Sequence, residues 1–202
     1  MCIRDRGAGP LYPTLFEGDY GFATTPFMIP YGVIVPRNVS NLLVPVAMSA
    51  SHVGYSALRL EPTWTALGHA AGLAAHLAAE NGGATRAVPV ARLQKMLHQQ
   101  KQATIYTSDV PRESPWFEAV QWAGLRGLLS DVVDYRTAVF TPLKKRWGTQ
   151  YSFAHALHAV EPDRPLDGPL ASKWKARIPC ATGVQAATRG EFLKLAMSRC
   201  GL

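Results

Sequence analysis

The feature that most constrains the fold is a stretch rich in alanine, glycine and leucine from Trp64 to Ala79, which contains no proline and no Asp, Glu, Lys or Arg. Proline is well tolerated in the first turn of a helix, and an Asn-Gly-Gly sequence ends one. The sequence therefore predicts a long helix that begins near Pro62 or Thr63. It runs to about Glu80, where Asn81-Gly82-Gly83 ends it.

The smallest side chains of this stretch recur at helical spacing and lie close to one face, at Gly68, Gly72, Ala75 and Ala79. A face without bulky side chains lets another backbone, or a flat ligand, come close. The stretch from Trp64 to Ala79 is 16 residues long, shorter than the roughly 18 apolar residues needed to cross a bilayer, and is interrupted by His69 and His76. It predicts a buried helix, and no transmembrane segment is expected in the chain.

Short runs with high β-propensity precede this helix. Phe27–Ile29 and Tyr31–Val35 lie between prolines and predict short strands, and Asn41–Val46 is typical of a strand buried on both faces. Residues 47–56 are small and polar, which predicts a loop at the end of that strand. The backbone N–H groups at the start of the long helix then point outward and suit an electron-rich oxygen, such as the O2 edge of a flavin ring.

Five segments in this order resemble the C-terminal FAD-binding region of the FAD-dependent oxidoreductase family that includes flavoproteins named xanthan lyases. They are Ile29–Val44, Ser49–His52, Arg59, Pro62-Thr63 and Ala66–Ala75. The resemblance implies an α/β to α+β fold, the C-terminal part of a two-domain, Rossmann-like FAD-binding fold followed by a small helical domain. It also implies that the loop and the long helix close over the flavin.

The same resemblance assigns the residues of a site. His52 is the candidate catalytic acid or base, because a neutral imidazole can both donate and accept a proton near pH 7; alternatively, it only hydrogen-bonds the loop backbone. Arg59 would hold an anionic substrate or polarise the flavin, or else form a salt bridge with Glu61 or with a domain outside this sequence. The expected cofactor-binding residues are Ser49, Ala50, Ser51, Arg59, Pro62 and Thr63, and no metal site is expected.

The glycine fingerprint that cradles the pyrophosphate of a dinucleotide, Gly-x-Gly-x-x-Gly, does not occur in the sequence. Gly7-Ala-Gly9 is followed by Pro10, and Gly124-Leu-Arg-Gly127 has the wrong spacing. Residues 1–6 do not resemble the start of a structural element. We therefore expect a fragment whose N-terminal dinucleotide-binding segment, its partner within the same polypeptide, is missing. Such a fragment would bind FAD weakly and be inactive alone.

The second half of the chain predicts a group of helices. Pro89 opens an amphipathic helix whose apolar side carries Val90, Leu93, Met96 and Leu97. Further helices are predicted near Pro115–Arg126, Ser152–Val160 and Arg189–Arg199. The last of these begins with Thr188 and Glu191 at the spacing of a capping box, which satisfies otherwise unpaired backbone donors.

Residues 107–129 and 188–196 resemble, more weakly, the opening and closing helices of an S-layer-homology repeat. The resemblance implies that Trp116, Phe117 and Val120 pack against Phe192, Leu193 and Ala196. We therefore divide the chain into the C-terminal part of an FAD-binding oxidoreductase domain at residues 1–85, a connecting helix at residues 86–103, and a small helical, S-layer-homology-like domain at residues 104–202.

Charge and cysteine content exclude some classes of function. The net charge is +7, but the basic residues are scattered without interleaved aromatics, so we expect no nucleic-acid partner. Cys2, Cys180 and Cys200 are far apart in the sequence, odd in number and without a Cys-x-x-Cys pair. They predict neither a zinc site nor a disulfide framework.

The sequence thus favours part of an FAD-dependent enzyme that transfers hydride between a small organic substrate and FAD. The alternative is a non-catalytic cell-surface or polysaccharide-binding module built around the C-terminal helices.

Overall fold

The computed structural model describes residues 27–133, 140–145, 148–153 and 158–201. For residues 52, 53, 140–145 and 148–153 it describes the backbone alone. The described part is mostly helical. Its α-helices are α1 (His52–Leu58), α2 (Glu61–Ala79), α3 (Val90–Gln99), α4 (Phe117–Leu125), α5 (Gly168–Arg177) and α6 (Arg189–Cys200). Its strands are β1 (Phe140–Lys145) and β2 (Gly148–Phe153), which pair antiparallel with Phe140 opposite Phe153.

The predicted strands before the long helix are not formed. Tyr31–Ile34 is one turn of 3₁₀ helix, and residues 41–46 run irregularly beside it, joined by a hydrogen bond from Val44 N to Ile34 O of 2.8 Å. Pro30, Pro36 and Pro45 fix the backbone and lack N–H donors, so this segment cannot maintain a regular ladder. Within residues 27–133 and 158–201 no strand occurs, and the expected Rossmann-like sheet is not confirmed.

Two other predictions of secondary structure were wrong. Residues 52–56, expected in a loop, belong to α1, which Ser51 caps by accepting a hydrogen bond from Gly54 N at 3.1 Å. The predicted helix at Ser152–Val160 is not formed at its start, because Ser152 and Phe153 belong to β2; residues 154–157 lie outside the described residues. Both errors fall on segments rich in small or polar residues, where the apolar side chains show no clear periodicity.

The long helix is confirmed as α2. Pro62 lies in its first turn, and after its end Gly82 and Gly83 take positive φ angles of 68° and 83° that favour glycine. The side chains that α2 buries are Leu67, Ala71, Ala74, Leu77 and Ala78. The face of small residues, Gly68, Gly72, Ala75 and Ala79, is exposed instead. The larger apolar side chains therefore direct α2 onto the core, and the small face lies toward solvent.

Two buried clusters surround α2. Its first half packs on Ile34, Met48 and Leu58, and its second half packs on Val88 and on Leu93 and Leu97 of α3. The predicted helix after Pro89 is thus confirmed, with Leu93 and Leu97 buried, although Val90 is 39% exposed. Among the described residues no helix is long and apolar enough to cross a membrane.

A third cluster lies between α4, α5 and α6. The predicted packing of α4 on α6 is confirmed: Phe117, Val120, Phe192, Leu193 and Ala196 are all buried together. A Cβ atom on Gly190 would lie 2.7 Å from the Trp116 ring, so the close approach of the helices requires glycine there. The predicted capping box of Thr188 and Glu191 is also formed.

Helix α5 was not predicted, although its start carries a recognisable signal. Asp167 caps it by accepting a hydrogen bond from Leu170 N at 2.8 Å, and Pro169 lies in its first turn. Its Trp174 is fully buried, packs against Phe192 with ring centroids 5.5 Å apart, and donates from Nε1 to Leu128 O at 3.0 Å. This one side chain anchors α5 in the third cluster.

No disulfide was predicted from the cysteine spacing. Cys180 and Cys200 form a disulfide, with their Cα atoms 5.5 Å apart. Twenty residues separate them in sequence, and the turn after α5 brings the two together. Spacing alone could not reveal this pair, because it depends on how α6 folds back.

Candidate functional site

The loop before α1 carries three of the predicted cofactor-binding residues. Ser49, Ala50 and Ser51 are exposed. Ser49 N donates to Val33 O at 2.7 Å, and Ser51 Oγ accepts from Gly54 N at 3.1 Å, so both ends of this short loop are fixed. The loop therefore presents small side chains to solvent on a fixed backbone. The hydroxyl of Ser51, however, is already engaged as the cap of α1.

The other predicted residues lie at the opposite end of α1. Arg59 follows α1, donates from its backbone N–H to Tyr55 O at 3.0 Å, and has an exposed side chain. Pro62 is exposed and Thr63 is half-buried. Seven helical residues span roughly 10 Å, so α1 separates the two groups by about that distance. Only an extended ligand could contact both.

The start of α2 is open toward solvent. Leu60 precedes the helix and supplies no side-chain cap, and Pro62 contributes no N–H. Glu61 adds a carboxylate to the first turn, which stabilises the positive end of the helix and weakens its attraction for another anion. No ion pair joins Arg59 to Glu61, both of which are described, so the guanidinium is not neutralised by that neighbour.

The backbone places His52 at the first position of α1, directly after Ser51. Its side chain lies outside the described residues, so its role as acid or base stays a prediction. A donor that sequence reasoning missed lies nearby: the indole N–H of Trp64 is buried and has no hydrogen-bond acceptor among the described residues. The exposed groups of this region, namely the loop, Arg59 and the start of α2, are therefore the candidate contacts for the predicted cofactor.

A cleft of about 210 Å³ lies beside α2 and was not predicted. Its walls come mainly from residues 27–34, α2 and α3 and are mostly apolar, and four lining side chains carry polar atoms: Tyr31, Gln94, Gln102 and Thr104. Of the predicted site residues that are described, none lines it. No charged side chain stands among its described lining residues, so the cleft suits an uncharged, mainly apolar group.

Hydrogen bonds around His69 close one end of this cleft. Gln102 donates from Nε2 to Ala66 O at 3.0 Å, and its amide oxygen contacts His69 Nδ1. His69 Nε2 lies 2.6 Å from the Gln100 side chain. These contacts hold the segment after α3 against the side of α2.

Two titratable groups beside the cleft are neutral at pH 7. Burial lowers the pKa of His98 to about 4, although the charge of Glu118 acts in the opposite direction. Burial raises the pKa of Tyr31, whose hydroxyl donates to Thr85 O at 2.8 Å. The electrostatic environment of the cleft is therefore uncharged over the neutral range.

A second cleft, of about 320 Å³ and strongly polar, lies beside α5. Arg189 is buried at its wall and donates from Nη1 to Val160 O at 2.8 Å and to Glu161 at 3.1 Å. A hydrogen bond from Arg164 is the main reason that the pKa of Glu161 is lowered. The charged side chains that line the cleft are Asp131, Glu161, Arg164, Asp167, Lys173 and Arg189.

Residues 13–97 match the sequence model of the FAD-dependent oxidoreductase family. No curated protein and no solved structure shows significant similarity to the chain. The matched segment contains every predicted cofactor-binding residue, together with α1, α2 and most of α3. The family is FAD-dependent, which confirms the prediction of FAD as the cofactor and supports an oxidoreductase as the class of protein.

Proposed function

We propose that this chain forms the flavin-facing part of an FAD-dependent oxidoreductase that transfers hydride between a small organic substrate and FAD. The observation that carries the proposal is the coincidence of the family match at residues 13–97 with an exposed group of donors at residues 49–63. When bound, FAD would supply the hydride acceptor, which no protein side chain provides.

The residues of the chain would have distinct tasks in this site. The backbone of the loop at Ser49–Ser51 and the uncapped start of α2 would orient the ring by hydrogen bonds. The exposed guanidinium of Arg59 would stabilise negative charge at the ring edge, since it has no ion pair with Glu61. His52 would hold or accept the substrate proton.

We further propose that the phosphates of FAD are bound by a dinucleotide-binding segment beyond this sequence. The glycine fingerprint is absent from all 202 residues. The 202-residue chain alone should therefore retain FAD weakly, whereas the product of the complete gene should retain it. An absorbance spectrum of the complete protein tests the proposal. A colourless complete protein that also fails to take up added FAD would overturn it.

The position of Arg59 can be tested without knowledge of the substrate. In the FAD-loaded complete protein, Arg59→Ala should lower the midpoint potential of the flavin by roughly 30 mV, since the reduced ring loses a nearby cation. Arg92→Ala is the matched control, because Arg92 is an exposed arginine on α3 that pairs with Glu80. An equal shift of the midpoint potential in both variants, or no shift in Arg59→Ala, would show that Arg59 does not lie beside the flavin.

His52 requires a separate experiment. With a substrate found by screening, His52→Ala should slow flavin reduction more than it weakens FAD retention, since proton transfer contributes to the reaction and less to binding. His76→Ala, at an exposed histidine on α2, serves as the control. Unchanged reduction kinetics in His52→Ala would assign His52 a structural role.

The alternative function, a polysaccharide-binding module, is favoured by one observation: the polar cleft beside α5 with its buried Arg189. Charged and amide side chains in a cleft are typical partners of sugar hydroxyls. If the complete protein is colourless, retention on insoluble polysaccharide that is lost in Arg164→Ala/Lys173→Ala would support this alternative. Equal retention of the unchanged protein and the double variant would show that this cleft does not bind polysaccharide.

A further inference from the structure

The disulfide between Cys180 and Cys200 joins a short turn to the end of a helix. Cys180 lies in the single 3₁₀ turn Pro179–Ala181, and Cys200 is the last residue of α6. The end of α6 also makes noncovalent contacts, since Met197 and Cys200 pack on the third cluster, to which Ala181 of the turn belongs. The disulfide is the covalent restraint between the end of α6 and the turn after α5.

This bond is accessible from solvent. Cys180 is exposed and Cys200 is half-buried. A small thiol can therefore reach Cys180 without opening the hydrophobic core.

The beginning and middle of α6 are held by contacts that do not involve the disulfide. Thr188 and Glu191 form the capping box at its start, and Phe192, Leu193 and Ala196 are fully buried against α4 and α5. Loss of the disulfide removes none of these contacts. It removes the covalent link between the final turn of α6 and the turn at residues 179–181.

We propose that Cys180 and Cys200 form a redox-sensitive lock on the end of α6. The lock closes in an oxidising compartment, where such bonds persist, and opens when a thiol reductant reaches Cys180. A reductant thiolate attacks Cys180 Sγ, forms a mixed disulfide and releases the Cys200 thiolate, which takes up a proton. The second thiol of the reductant then releases Cys180 as a thiol, so that two protein thiols form and the dithiol becomes a disulfide.

The closed state is tested first by counting thiols in the full chain. Protein produced in an oxidising compartment and then denatured without reductant should show one reactive thiol, that of Cys2, and three after treatment with dithiothreitol. The Cys2→Ser variant should show no reactive thiol before treatment with dithiothreitol and two after it. Three reactive thiols before reduction would overturn the proposal.

The open state is tested by hydrogen exchange with and without dithiothreitol. Reduction should accelerate exchange of the backbone amides at residues 198–201 at least tenfold and leave those of residues 192–196 within twofold. The melting temperature should fall by about 5–10 °C on reduction. Cys2→Ser should respond as the unchanged protein does, and Cys180→Ser/Cys200→Ser should not respond.

Two further outcomes would contradict a local lock. Unchanged exchange at residues 198–201 would mean that the disulfide restrains nothing. Accelerated exchange throughout α4 and α6 would mean that reduction unfolds the whole third cluster, which is a structural disulfide and not a switch.

Discussion

The amide oxygen of Gln121 accepts a hydrogen bond from the backbone N–H of Thr104 at 2.7 Å, across the junction between α3 and α4. The same oxygen accepts from Ile105 N at 3.0 Å, and the amide nitrogen donates to Ile105 O at 3.0 Å. Gln121 is 1% exposed, so these bonds are shielded from water. One buried side chain thus fixes the segment that connects the matched family region to the C-terminal helices.

Replacement of this side chain should destabilise the protein. Gln121→Leu removes the acceptor and leaves two backbone N–H groups without a partner, which should lower the free energy of unfolding by roughly 2–4 kcal/mol. Urea unfolding measures this. Gln99→Leu, at an exposed position on α3, is the matched control and should change stability by less than about 0.5 kcal/mol. Similar losses in the two variants would show that the buried network contributes nothing specific.

The third cluster should depend on Phe192. This side chain is fully buried against Trp174, and Phe192→Ala should lower the free energy of unfolding by about 3–5 kcal/mol through lost burial and a residual cavity. Leu195→Ala on the same helix, at a residue 48% exposed, should cost less than about 0.5 kcal/mol. Chemical denaturation of both variants provides the comparison, and a small effect at Phe192 would contradict the observed packing.

Stability should depend on pH through His98. The imidazole titrates near 6.5 in an unfolded chain but at about 4 in the folded protein, where burial lowers its pKa. Between these values the unfolded state binds more protons, so stability should fall by up to about 3 kcal/mol as the pH drops from 6.5 to 4. Urea unfolding at several pH values measures this slope.

The matched variants for this prediction are His98→Gln and His76→Gln. His98→Gln should remove most of the slope between pH 6.5 and 4. His76→Gln should retain it, because the His76 side chain is 64% exposed. An identical pH dependence in the unchanged protein and in His98→Gln would refute the assignment.

The short helix α1 should depend on its cap. Ser51→Ala removes the acceptor for Gly54 N and should destabilise α1 by about 1 kcal/mol, which corresponds to roughly fivefold faster exchange of the Gly54 amide. Ser49→Ala is the control, because Ser49 is exposed and does not cap the helix. Equal exchange rates in both variants would show that α1 is held by its packing and not by Ser51.

The positions of α2 and α6 could be predicted because their ends carry local signals. Proline in the first turn and glycines after the last turn mark α2, and the Thr188–Glu191 capping box marks α6. A candidate site at residues 49–63 was also predicted from sequence, through the family resemblance, and these residues lie within the family match at residues 13–97. The strands were wrongly predicted because their β-prone residues alternate with prolines, which prevent a ladder.

The sequence by itself determined the positions of α2 and α6 and indicated FAD as the cofactor, since caps, prolines and family motifs act over a few neighbouring residues. Tertiary structure alone decided that the small face of α2 lies toward solvent, that α1 separates Ser51 from Arg59, and that Cys180 meets Cys200. These relationships depend on which surfaces bury the most apolar area when the helices pack. That competition involves residues distant in sequence, and no local pattern encodes its outcome.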